Sequence, residues 1–122
     1  LKFVVPSALH AYFDLFAAML DDPNSYIRTR GIFLIAANAK WDTDYKIDEI
    51  IDNYLKHIMD VKPITARQCI KSLPAIAKHK PDLTRDICDS LRKANPQIYK
   101  SSMQSLVYKD IQDALKAITN CK

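Results

Sequence analysis

The residues best equipped for chemistry in this 122-residue chain are His10, His57, His79, Cys69, Cys88, Cys121 and the neighbours Trp41 and Asp42. None falls into a spacing that chemistry requires. There is no HExxH, and no His lies within four residues of a Cys or another His, so no metal site is expected. The single glycine, Gly31, cannot build a glycine-rich phosphate loop. Three cysteines without a CxxC give no disulfide framework, so free thiols in a reducing, cytoplasmic setting are expected. Asp21-Asp22 and the Asp42/Asp44 turn suit helix caps better than a pair of catalytic carboxylates. The expectation is therefore no catalytic residue, no cofactor and no metal.

The elements that must position these residues are helices. One glycine in 122 residues is too few for the turns of a β fold. Apolar residues make up 48% and charged residues 26%, as in a globular protein with one real core. The longest apolar run, Gly31 to Ala37, is too short for a bilayer, and Leu1 to Val5 lacks the features of a signal peptide. No membrane association is expected. Net charge is +4 but uneven: residues 1–60 carry 6 basic and 9 acidic side chains, residues 61–122 carry 12 and 5.

Helical spacing predicts a first helix from Pro6-Ser7 to about Leu20, with a broad apolar face of Leu9, Tyr12, Phe13, Phe16, Ala17, Met19 and Leu20. A second runs from about Pro23 to Ala39. A third, capped by Asp42, Thr43 or Asp44, carries Ile47, Ile50, Ile51, Tyr54, Leu55 and Ile58. The fourth opens at Pro63, ends near Lys78 and contains Pro74, which should kink it. The fifth covers about Asp82 to Lys93. The sixth opens at Asn95-Pro96 and should break near Tyr108 to Asp110, with Asp110 capping a short terminal helix over about 110–119. Five of the six prolines thus stand at helix starts, and short connections make neighbouring helices antiparallel.

A pattern recurs in the second member of each helix pair: Ile27-Arg28-x-x-Gly31-x-x-Leu34, Ala66-Arg67-x-x-Ile70-x-x-Leu73 and Tyr99-Lys100-x-x-Met103-x-x-Leu106. The basic positions are 39 and 33 residues apart, and Asp21 and Asp60 each lie seven residues before one. Helical hairpins at this period mark an α-solenoid. The chain here resembles the HEAT-repeat (HEAT/armadillo-like) family, whose second helix opens Asp-Pro-x-x-x-Val-Arg-x-x-Ala-x-x-x-Leu. Asp22, Pro23, Ile27, Arg28 and Gly31 follow that pattern. Asp60, Pro63, Ala66 and Arg67 follow it more loosely, and the third unit departs from it, with Lys100 for the Arg and Lys93 for the Asp.

The resemblance implies an all-α, right-handed α-α superhelix of about three hairpins and six to seven helices. Residues 1–122 form a single domain, with repeats at about 7–40, 43–79 and 82–108. It implies that Arg28, Arg67 and Lys100 form a structural ladder with Asp21 and Asp60. It also implies a concave binding face on the second helices, expected to include Arg30, Phe33, Ala37, Cys69, Ser72, Ile76, Ser102, Ser105 and Lys109. The expected function is a non-enzymatic protein-binding or scaffold module with a protein partner. The alternative is a nucleic-acid-binding domain that uses the basic second half, with weak binding expected because few aromatics interleave with its cations. Trp41 beside Asp42 resembles, remotely, the Trp and Asp of HEAT-like alkylpurine DNA glycosylases, whose chains are longer and use more aromatics.

Overall fold

The computed structural model describes residues 11–118 and Cys121. Leu9, His10 and the start expected for the first helix at Pro6-Ser7 lie outside the described residues, as does Thr119. Six α-helices cover most of what is described: α1 (Phe13–Met19), α2 (Ser25–Asn38), α3 (Lys46–Leu55), α4 (Pro63–His79), α5 (Thr84–Lys93) and α6 (Ser101–Ala117). Single 3₁₀ turns at Ala39–Trp41, Lys56–Met59, Pro81–Leu83 and Pro96–Ile98 finish or introduce them. No strand occurs among the described residues. No described helix is long and apolar enough to cross a membrane.

The starts follow from local chemistry. The Asn24 side chain accepts from the Tyr26 amide at 2.8 Å and caps α2, so Pro23 precedes that helix rather than opening it. Asp42 accepts from the amides of Lys46 and Ile47, both at 2.9 Å, and so holds the first turn of α3 from outside. Pro63 opens α4. Pro74 sits inside α4, which nonetheless runs unbroken to His79.

The expected break near Tyr108 is absent. α6 is one helix of 17 residues, and Asp110 is buried inside it. Val107, Ile111, Ala114 and Ile118 keep one unbroken apolar face, and nothing between Tyr108 and Asp110 interrupts the backbone ladder.

α2, α4 and α6 lie side by side as one row, and α1 and α3 lie behind it, against α2 and α4. α4 is central, packed between α2 and α6. Side-chain bonds show that α2 and α4 run the same way: Arg28 reaches Asp60, Thr29 reaches Thr65, and Tyr54 bridges Ile32 to Ser72. α3 contributes Tyr54 from behind, fully buried between the two.

The hydrophobic core repeats with a fixed offset of 38 residues: Phe13 and Ile51, Phe16 and Tyr54, Leu20 and Ile58, Ile32 and Ile70, Ile35 and Leu73, Ala39 and Ala77. The turns repeat with it. Asn24 N donates to Asp22 Oδ1 at 2.8 Å, and Lys62 N donates to Asp60 Oδ1 at 2.9 Å. The counterpart of Arg28 is therefore Ala66, not Arg67, and the counterpart of Asp60 is Asp22, not Asp21.

Cys88 and Cys121 form a disulfide with a Cα–Cα distance of 5.6 Å, which replaces the free thiols expected at those two positions. It ties the segment after α6 to α5. Cys69 alone is a free, buried thiol among the described residues.

Candidate binding face

The residues that the sequence places in a ladder take three different roles. Arg28 is buried, and all three of its guanidinium nitrogens are engaged. Its Nε and Nη2 donate to the two oxygens of Asp60 at 3.0 and 2.8 Å, and its Nη1 donates to the carbonyls of Asp22 and Pro23 at 3.0 Å. Asp60 also meets His57 Nδ1 at 2.7 Å, and its carbonyl accepts from the Tyr99 hydroxyl at 2.5 Å. Burial alone would raise the Asp60 carboxyl. The bonds from Arg28, the Lys62 amide and His57 outweigh it and hold the group below the usual carboxylate value.

Arg67 instead pairs with Asp110 of α6 at 2.6 Å, half-buried. Lys100 stands exposed before α6, and Asp21 is exposed, accepting from the Asn53 side chain at 2.9 Å. Those two therefore lie outside any ladder. The one-residue difference between Arg67 and the true counterpart of Arg28 explains the change of partner.

The face formed by α2 and α4 is open where α2 presents Tyr26, Arg30, Phe33 and Ala37, and where α4 presents Ile64, Lys71, Ala75 and Lys78. Tyr26 is 84% and Phe33 50% exposed. Cys69 and Ile76, expected on this face, are fully buried at 0%. Ser72 is half-buried, donates to the Cys69 carbonyl at 2.6 Å and meets the Tyr54 hydroxyl at 2.7 Å. The physical reason is the 38-residue register: a face carried from α2 to α4 at 39 residues lands one residue too far and turns about 100° into the core. On α6, Ser102 and Lys109 are exposed, with Lys109 bound to Asp113 at 2.7 Å. Ser105 lines a separate groove of about 630 Å³ between α5 and α6, with Leu91, Pro96, Tyr108 and Ile111.

Charge is sorted between the rows. α2 and α4 carry five basic and no acidic residues, whereas α1 and α3 carry one basic and four acidic. Of the cations in the second half, Lys71 and Lys78 lie on the α4 face, while Arg85, Arg92 and Lys93 lie exposed on α5. Lys80 is buried and lies on neither. Its Nζ meets Asp48 at 2.8 Å, Asp42 at 3.2 Å and the Asp42 carbonyl at 3.1 Å. The Tyr45 ring lies 4.4 Å from it, held there by a left-handed backbone with φ 57°.

No cluster of three or more potential metal ligands occurs among the described residues. His57 is nine-tenths buried beside Asp60. Asp42 is buried and occupied by two amides and Lys80, so the Trp41–Asp42 neighbours do not present a free carboxylate to solvent. Comparison with protein-family models, with curated proteins and with solved structures found no match to this chain. The 38-residue offset could have been found in the sequence by aligning Asp22-x-Asn24 with Asp60-x-Lys62, two turns with a common role, rather than Arg28 with Arg67.

Proposed function

We propose that the chain is a non-enzymatic protein-binding module of HEAT-like solenoid type that uses the exposed face of α2 and α4. The observation that carries this reading is that face itself: two neighbouring parallel helices expose aromatic, aliphatic and basic side chains, with no acidic residue on either. Exposed aromatic and Arg side chains are the usual anchors of protein interfaces. The 38-residue repetition of core and turns supports the solenoid reading, since stacked hairpins need matching inner faces. The internal engagement of His57, Asp42 and Asp60 supports a binding role over an enzymatic one. The Cys88–Cys121 disulfide supports an oxidising compartment over the cytoplasm.

A second reading, nucleic-acid binding, draws on one specific observation. Tyr26, Arg30, Phe33, Lys40 and Trp41 alternate rings and charge along α2 and the turn that follows it. Affinity capture from cell extract separates the two. The protein-binding reading expects partners that survive nuclease and are lost with the double substitution Arg30→Glu, Phe33→Ser. Partners removed by nuclease favour the second reading, and capture unchanged by the double substitution refutes the proposed face.

A further inference from the structure

We infer that the α2–α4 face receives an acidic amphipathic helix, an inference that rests on the protein-binding reading above. The charge comes first. Of the five cations on the two helices, Arg28 and Arg67 are taken by Asp60 and Asp110. Arg30, Lys71 and Lys78 remain exposed on one surface. Lys71 and Lys78 are seven residues apart, so they share a side of α4 about 10.5 Å from each other. Carboxylates at i and i+7 of a partner helix repeat at the same interval.

The relief of the surface comes second. Ala37 and Ala75 are counterparts at the 38-residue offset, so the two neighbouring helices are both trimmed to a methyl group at one level. Phe33, one turn before Ala37 on α2, and Ile64, three turns before Ala75 on α4, stand higher toward the N-terminal ends of the two helices, exposed. Apolar side chains at i, i+3 or i+4, and i+7 of an approaching helix suit such a trough, as they do in other helix-in-groove complexes. A nucleic acid is served less well, because beside its lysines the α4 row offers Ile64 and Ala75 and no ring for a base to stack on. No acidic side chain on either helix opposes an acidic partner, whereas the α1 and α3 row would repel one.

The test uses a synthetic helix of about 20 residues with Leu at core spacing and flanking Glu, long enough to lie along both helices. Its binding to the full chain is followed by fluorescence anisotropy at about 0.15 M salt. Saturable binding is expected, with the double substitution Lys71→Glu, Lys78→Glu weakening it about tenfold or more. A probe with Lys in place of Glu should regain affinity for that double variant. Both substitutions are on exposed positions, and an unchanged circular dichroism melt checks that the fold is kept. The inference is overturned if a scrambled peptide of the same composition binds equally well, if charge reversal leaves affinity unchanged, or if an oligothymidylate binds more tightly than the helix. Should the probe fail while nuclease-resistant capture still depends on Arg30 and Phe33, the acidic helix falls and the protein-binding reading stands. If that capture fails too, both fall.

Discussion

At the scale of single residues, Asp60 is the most consequential. It gathers Arg28, His57 and the Lys62 amide onto one buried carboxylate. Removing one partner of a buried pair leaves the other charge desolvated, so Arg28→Ala should cost about 3 kcal/mol, read from the denaturant midpoint. A loss near zero would show that Asp60 finds water or another donor. The same carboxylate sets an acid limit. Its folded pKa lies below the unfolded value, so its contribution is fully present above about pH 4 and is lost as pH falls through the folded value. The stability gap between the natural chain and Asp60→Asn should therefore hold at neutral pH and shrink below about pH 4; a gap that does not change with pH would contradict the assignment. Cys69 behaves oppositely to a reactive thiol: burial first, then the nearby Asp60 charge, push it far above its usual range, so alkylating reagents should label it only on unfolding.

At the scale of elements, α1 and α2 approach closely at Gly31. A Cβ at Gly31 would sit 2.8 Å from Met19 Cβ and 3.1 Å from the Phe16 carbonyl oxygen. The carbonyl belongs to the backbone and cannot rotate away, so Gly31→Leu must part the two helices. A cost of about 1–3 kcal/mol is expected from the thermal melt, and an unchanged melt would show that the helices are not in contact there. The counterpart of Gly31 is Cys69, whose Sγ meets the carbonyl of Tyr54, the counterpart of Phe16, at 3.6 Å. The helices themselves were legible: apolar spacing and proline placement locate α2 to α5 within a few residues. The register between units was not, because Arg28 and Arg67 look alike in sequence and only packing reveals that one faces Asp60 and the other Asp110. The extra helix expected after Tyr108 came from reading Asp110 as a cap, when its acid is required by Arg67 across the row.

The Lys80 clamp joins elements far apart in the chain: the turn after α2, the first turn of α3 and the end of α4. Burial would lower the Lys80 amine, but Asp48 and Asp42 outweigh it and raise it. A raised lysine contributes its full stability below its unfolded pKa, about 10.4, and loses it as pH climbs through the higher folded value. Lys80→Met should thus destabilise at neutral pH by leaving Asp42 and Asp48 without their cation, and the deficit should narrow in strong alkali. Equal stability of the two proteins at pH 7 would remove the clamp from the account.

For the whole molecule, the disulfide and the sorted charge matter most. Cys88 and Cys121 are 33 residues apart. Closing a loop of that size is worth about 3–4 kcal/mol in the chain-entropy model, so Cys121→Ser or a reductant should lower the midpoint in proportion. No spacing in the sequence signals this pair, because one turn of α5 and a segment beyond α6 meet only once the rows have formed. The basic α2–α4 face was half legible. Arg30, Phe33 and Ala37, expected on a binding face, are exposed, but the matching α4 row of Ile64, Lys71, Ala75 and Lys78 was hidden by the one-residue shift. The central claim, that this face and not the opposite row meets the partner, is tested most directly by placing a photo-crosslinking residue at position 33 or 71 and, for comparison, at exposed Glu49 or Asp86. Nuclease-resistant protein adducts are expected from 33 and 71 and not from 49 and 86; adducts chiefly from 49 and 86 would show that the partner meets another surface.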